Sequence, residues 1–334
     1  MRLPLLLANL LISGAALAAD WSPQRAAMYL DGRQKDWFAW PRAASADGPC
    51  VSCHTGLTYL LARPALRRVL GDNQPTQYET GLLNRLRVKA GAESPGALQG
   101  VETVFAALFL SSHDGHAPST RAAFTQLWTL QRNDGAALWY SAGLDPWETP
   151  AASYYGSALA ALALGSAPPE MRGAPGTQEH IRTLQDFLRS DSKDRPLHSR
   201  LALLWASTRS PDLLAAPARR ALIDEVVQKQ QPDGGWTLES LGPWAAHPDA
   251  PASSGVNAYA TAFTAYVLQQ AGVAAPRALE WLQAHQDPQT GAWPAVSMNK
   301  HYPAGSMDEK FLQDAATAFA ALALIEATSS SPVR

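Results

Sequence analysis

The chain has 334 residues and a mass of 35.8 kDa, with 46% hydrophobic and 17% charged residues. That composition excludes disorder over most of the length and leaves room for one large domain or two medium ones. With 27 basic and 29 acidic residues the net charge is −2, so nothing points to nucleic acid, and two cysteines are too few for a disulfide scaffold.

Arg2 is the only charge before Asp20, and Leu3 to Ile12 is mostly apolar. Ala16-Leu17-Ala18 follows, an ending typical of a signal peptide spanning 1–18. An uncleaved anchor is the alternative, but the apolar run is short for a span of about 20 residues. Pro4 and Asn9 weaken it further. The mature chain is expected in a bacterial periplasm, and no later segment reads as a membrane span.

Cys50-Val51-Ser52-Cys53-His54 follows. Two thiols three positions apart, with an imidazole next to the second, suit covalent attachment of one haem c. Cys50 and Cys53 would be the tethers and His54 the proximal iron ligand. A Cys50–Cys53 disulfide or redox pair is the first alternative, but the strand–helix context of such a pair is missing. Zinc is the second, and it would need ligands beyond these. No Met lies between Met28 and Met171, so a distal ligand must come from elsewhere in the fold or be absent. Met298, Met307 and His113 are the candidates, with His116 and His301 behind them. Residues 19–97 are therefore expected to form a haem-bearing helical segment packed on the remainder.

Beyond residue 98 the chain repeats. Leu127 to Gly135 is followed by Trp139, Gln231-Pro232-Asp233-Gly234-Gly235-Trp236 comes next, and Gln286 to Trp293 is the third copy. Each joins a helix end bearing Gln to a tight Asp/Gly turn and a Trp. A period of about 50 residues indicates a stacked or closed repeat. Alanine-rich helices follow the turns at 155–162, 201–206, 259–266 and 315–322, apolar on all sides and hence buried. More polar helices such as 219–230 would form an outer ring. Period-two alternation is nearly missing. The expectation is an all-α fold, an α/α toroid of about twelve helices over 98–328, with a disordered tail at 329–334.

The turns at 231–236 and 286–293 resemble the QW repeats of squalene-hopene cyclases and related prenyltransferase-type toroids, a likeness covering about residues 98 to 327. Joined to the Cys50–His54 motif, they resemble exported squalene-cyclase-repeat proteins that carry a haem motif. Class II cyclases of that family protonate alkenes with an Asp-x-Asp-Asp motif, which this chain lacks. The nearest echo is Asp314-Ala315-Ala316-Thr317, where Asp314 reads as an N-cap or a pore-lining group. Aromatics in or near loops, Trp37, Trp40, Trp139, Tyr140, Trp147, Tyr154, Tyr155, Trp236, Trp244 and Trp293, suggest a pocket at one mouth of the barrel, lined for an apolar small molecule, with Trp236 and Trp293 read instead as staples between neighbouring helices. Glu148 is the candidate acid of that cavity, or else a solvated loop residue. The role expected from these features is electron transfer, or haem-dependent oxidation of an apolar, isoprenoid-type molecule, served by a periplasmic redox partner. Its rivals are a haem-independent cyclase or lyase and a non-catalytic binding module.

Overall fold

Proline and capping side chains decide where many of the helices begin. Helix α1 (Pro23–Ala39) starts on Ser22, whose hydroxyl accepts from Arg25 N, with proline in the first turn. Helix α3 (Gln77–Lys89) starts on a reciprocal capping box between Thr76 and Glu79. Helix α12 (Ala258–Gln270) starts on Asn257, which accepts from two backbone amides. The computed structural model describes residues 21–91, 96–190, 192–245 and 247–329. The signal peptide expected at 1–18 and residues 330–334 of the tail lie outside these.

Six helices are buried nearly all round: α2 (Gly56–Leu70), α4 (Gln99–His113), α6 (Ser153–Ser166), α9 (Leu197–Ser207), α12, and α14 (Phe311–Ser329). Alanine dominates their faces, which lets the helices approach closely. Each is preceded in the chain by a more exposed helix: α1, α3, α5 (Pro118–Thr129), α8 (Thr177–Arg189), α10 (Ala216–Gln228) and α13 (Pro276–Ala284). Two short helices, α7 (Pro169–Gly173) and α11 (Leu238–Leu241), lie in the connections. Around the inner ring α4 packs on α6, α6 on α9, α9 on α12, and α12 on α14. Helix α14 then packs on α2, so elements from the two ends of the chain close the ring. No strand occurs among the described residues, and the fold is the all-helical α/α toroid expected; the ring also takes in α1–α3, expected as a separate segment at 19–97, so it is not confined to 98–328.

By length and composition, Asp308–Thr328 is the one helical stretch among the described residues able to cross a membrane. No span was expected there from the sequence. Most of the stretch is buried inside the ring, as a core helix of a closed barrel must be.

The repeat turns hold outer helices together, the second in a register one residue different from the expected one. The backbone bonds Arg132 N to Ala136 O, Gln231 N to Gly235 O and Asp287 N to Ala292 O are equivalent. The glutamines before them, Gln131, Gln230 and Gln286, donate to the glycine carbonyls of their turns at 3.0, 2.6 and 2.9 Å. The second anchor is thus Gln230, not Gln231. Trp236 and Trp293 staple as expected: both are buried, and their indole N–H groups reach Val226 O and Leu282 O at 2.8 and 2.7 Å. Their backbone amides bind Thr261 and Thr317 hydroxyls. In the first turn the equivalent amide, bound to Ser157, is that of Ala137. Trp139 is therefore not a copy of the repeat tryptophan.

Candidate active-site cavity at the mouth of the toroid

A cavity of about 350 Å³ opens where the 50–54 segment, the 140–148 loop, the 297–302 loop and the start of α14 meet. It lies within the size range of small-molecule sites. The loop between α1 and α2 is shaped locally. Ser52 Oγ accepts from the amides of Thr55 and Gly56 at 3.1 Å each, starting α2. A β-carbon on Gly56 would lie 2.9 Å from the Val51 side chain, so this tight entry requires glycine. Trp37 Nε1 donates to Cys50 O at 2.8 Å, and Val51 N to buried Glu102 at 3.2 Å, which Arg85 holds from the other side.

Cys50, Cys53 and His54 all line the cavity. Burial pushes the Cys50 thiol up to about 11, and Cys53 is pushed well up by burial and then by Glu148. Both sulfurs are consequently neutral and poor nucleophiles at neutral pH. Burial, with Arg33 adding to it, pushes His54 down to about 3, so the imidazole is neutral too. Its ring stacks on Phe311 at 3.6 Å and meets Trp37 edge-on at 5.6 Å.

Glu148 lines the same cavity and makes no hydrogen bond or ion pair with its carboxyl among the described residues. Its backbone pairs with Leu144 in both directions, which pins the loop. Burial raises the carboxyl from its ordinary value. Asp308 is held by exposed Arg42 at 3.1 Å, and Asp145 accepts from Ala245 N at 2.9 Å. Burial, then Asp308 and Glu148, raises the Tyr302 phenol. Trp37, Trp40, Tyr140, Trp147 and Phe311 supply apolar walls. Of the aromatics expected at a mouth, Trp139, Tyr154, Tyr155, Trp236, Trp244 and Trp293 do not line it.

Of the three distal candidates, only Met298 lines the cavity. Met307 Sδ accepts from Arg33 at 3.1 Å. His113, at the end of α4, bonds Phe109 O through Nδ1 at 2.9 Å. His116 pairs with Glu170 at the surface, and exposed His301 lies in a neighbouring groove. Asp314 is neither an N-cap nor a pore group. It is buried in the first turns of α14, where its Oδ1 accepts from Arg33 Nε at 2.7 Å and Tyr29 at 2.8 Å. Burial raises its carboxyl, opposed by the Arg33 charge and three hydrogen bonds. Tyr302, Asp308 and Phe311 went unmarked in the sequence, since no local pattern ties them to residues 50–54.

As for a haem, three donors of the right chemistry line one cavity: two neutral sulfurs and a neutral imidazole with one nitrogen open. Aromatic walls and Arg42 at the rim would suit a planar, acid-bearing ring. The residues present therefore fit the group.

No family model and no curated protein matches this chain. Among solved structures it is similar to a protein of Salmonella enterica subsp. enterica serovar Paratyphi A, described as a possible member of the GH105 family. The TM-score is 0.50 at 12% identity, over 92% of this chain and 94% of that one. This likeness is one of fold. The role read from the sequence is corrected on this point: the molecule of like fold is described as a possible GH105 member, not as a haem electron-transfer protein. Electron transfer and haem-dependent oxidation are set aside accordingly, and the comparison favours neither the cyclase or lyase rival nor the binding module.

Proposed function

We propose that the mouth cavity is an acid-catalytic hydrolase pocket for a small glycoside-like molecule, with Glu148 as the proton donor. The observation that carries this is a half-buried carboxyl, raised by burial, free of partners among the described residues and facing an aromatic-walled cavity. Such a group holds its proton to higher pH than an exposed carboxyl does, the direction a general acid needs. The Trp and Tyr walls suit the apolar face of a sugar ring, and Arg42 and Ser297 offer polar contacts on the lining. Glu148 would give its proton to the bridging oxygen as the carbon–oxygen bond breaks. Water then bonds to that carbon, and its surplus proton returns to the Glu148 carboxylate. The fold likeness supports the scaffold of this reading and not its chemistry. The repeat turns keep the toroid close to squalene-cyclase repeats in pattern. The chain is proposed to act after export, with residues 1–18 removed.

The test is hydrolysis of a panel of para-nitrophenyl glycosides. E148Q should lose about 100-fold or more in kcat/KM. Because the protonated carboxyl is the active form, activity should fall as pH rises through the raised value. Wild-type protein inert on the whole panel, or E148Q as active as wild type, would overturn the reading.

A second reading concerns what the cysteines carry, and the specific observation for it is the shared lining of Cys50, Cys53 and His54. Cys50 and Cys53 would hold one haem c through their sulfurs and His54 through its imidazole, and Met298 lies on the same cavity wall. Bound there, the haem would supply an iron centre. A haem would occupy the wall that the first reading leaves to substrate, so one measurement separates the two. The mass of exported protein should exceed the processed chain by one haem under this reading. A bare-chain mass would end it.

A further inference from the structure

Asp314 and Thr55 stand 259 residues apart, yet they join in a buried chain of hydrogen bonds that ends on the cavity wall. Thr55 Oγ1 donates to Asp314 Oδ2 at 2.8 Å. A hydroxyl has one proton, so the contact of 2.9 Å between Thr55 Oγ1 and His54 Nδ1 requires the proton to sit on Nδ1. The Arg33 guanidinium, 2.7 Å from Oδ1, opposes protonation of the Asp314 carboxyl, and an ionised Oδ2 can only accept from Thr55. His54, Thr55 and Asp314 are 6%, 2% and 1% exposed, so water does not compete for these bonds. Nε2 has no hydrogen-bond partner among the described residues, on a side chain that lines the cavity.

We infer that Asp314 is a positioning residue: acting through Thr55, it fixes His54 as the Nδ1–H tautomer and presents Nε2 to the mouth cavity as an electron-pair donor. The occupant of this wall is thus a group that accepts an electron pair. A ligand hydroxyl proton and the iron of a haem share that chemistry, and both need an unprotonated Nε2. The inference therefore goes beyond the hydrolase reading and does not depend on it. The aromatic clamp of Phe311 and Trp37 fixes the plane of the ring, while the relay fixes which nitrogen carries the proton.

The test is nitrogen-15 NMR of the purified chain, with His54 assigned by the loss of its signals in H54Q. Wild type and T55S should show Nδ1 protonated and Nε2 unprotonated. T55V, which keeps the shape and removes the hydroxyl, should shift the population toward the Nε2–H form. Titration with hemin then separates the two sources. Saturable low-spin binding by wild type and T55S, lost or weakened about 10-fold in T55V, assigns the donor to iron. Absence of hemin binding with the tautomer result intact assigns it to a ligand hydroxyl. A wild-type spectrum showing Nε2–H, or a T55V spectrum identical to wild type, overturns the inference. Should T55V fail to fold, the wild-type tautomer alone decides. Glycoside hydrolysis is not read here, so failure of the hydrolase reading leaves this result standing.

Discussion

Behind the cavity the core holds a second neutral histidine. His198 is fully buried, and burial pushes it down to about 3. Its Nε2 contacts the Tyr259 hydroxyl at 2.7 Å, and its Nδ1 has no partner among the described residues. In the unfolded chain a histidine titrates near 6.5. Between that value and about 3 the unfolded state binds a proton that the folded state refuses, so stability falls as pH drops through this window. Thermal midpoints should therefore decline from about pH 7 to about pH 4, and H198Q should make the decline shallower. An unchanged slope in H198Q would remove His198 from the account. At this scale much of the site was readable. Cys50, Cys53 and His54 stand out by residue type and spacing and Glu148 by its place among aromatics, and all four line one cavity. Tyr302, Asp308 and Phe311 do not, because a pocket wall assembled from distant loops leaves no local signature. Asp314 was noticed for a motif it lacks, whereas its partners Arg33 and Thr55 lie more than 250 residues away.

Among the elements, the repeat turns act as clasps between successive outer helices. Gly135, Gly234 and Gly291 have positive φ, and each presses on backbone of the next outer helix: Thr183 in α8, Arg277 in α13 and Arg25 in α1. A β-carbon on Gly291 would lie 2.5 Å from Arg25 backbone at φ +78°, whereas Gly272, at φ +76°, has open space around it. G272A should then cost only the backbone conformation, about 1 kcal/mol, while G291A should cost about 2–4 kcal/mol. Urea unfolding compares the two, and equal losses would show that the close approach is not what selects glycine. The inner helices were legible because an alanine-rich, apolar run can only be buried. The register at Gln230-Gln231 was not, since two adjacent glutamines fit the pattern equally. Only the hydrogen bonds to Gly234 and Gly235 tell them apart.

Across the whole molecule, closure depends on contacts between the first helices and the last. Gln286 brackets the Ser22 backbone at 2.6 and 3.0 Å, Arg33 pairs with Asp314, and α14 lies between α12 and α2. Removing α14 by ending the chain before Phe311 should expose apolar faces of α2 and α12 together. It should abolish the cooperative heat-capacity peak rather than merely lower its midpoint. A sharp transition surviving that truncation would mean the ring does not fold as a unit. Local pattern could count the helices and not say which of them meet across the seam.

The stacking of Phe311 on His54 carries this further. One face of the mouth comes from residues 50–54 and the opposing face from Phe311, so the pocket is absent until both stretches have been made and have folded against each other.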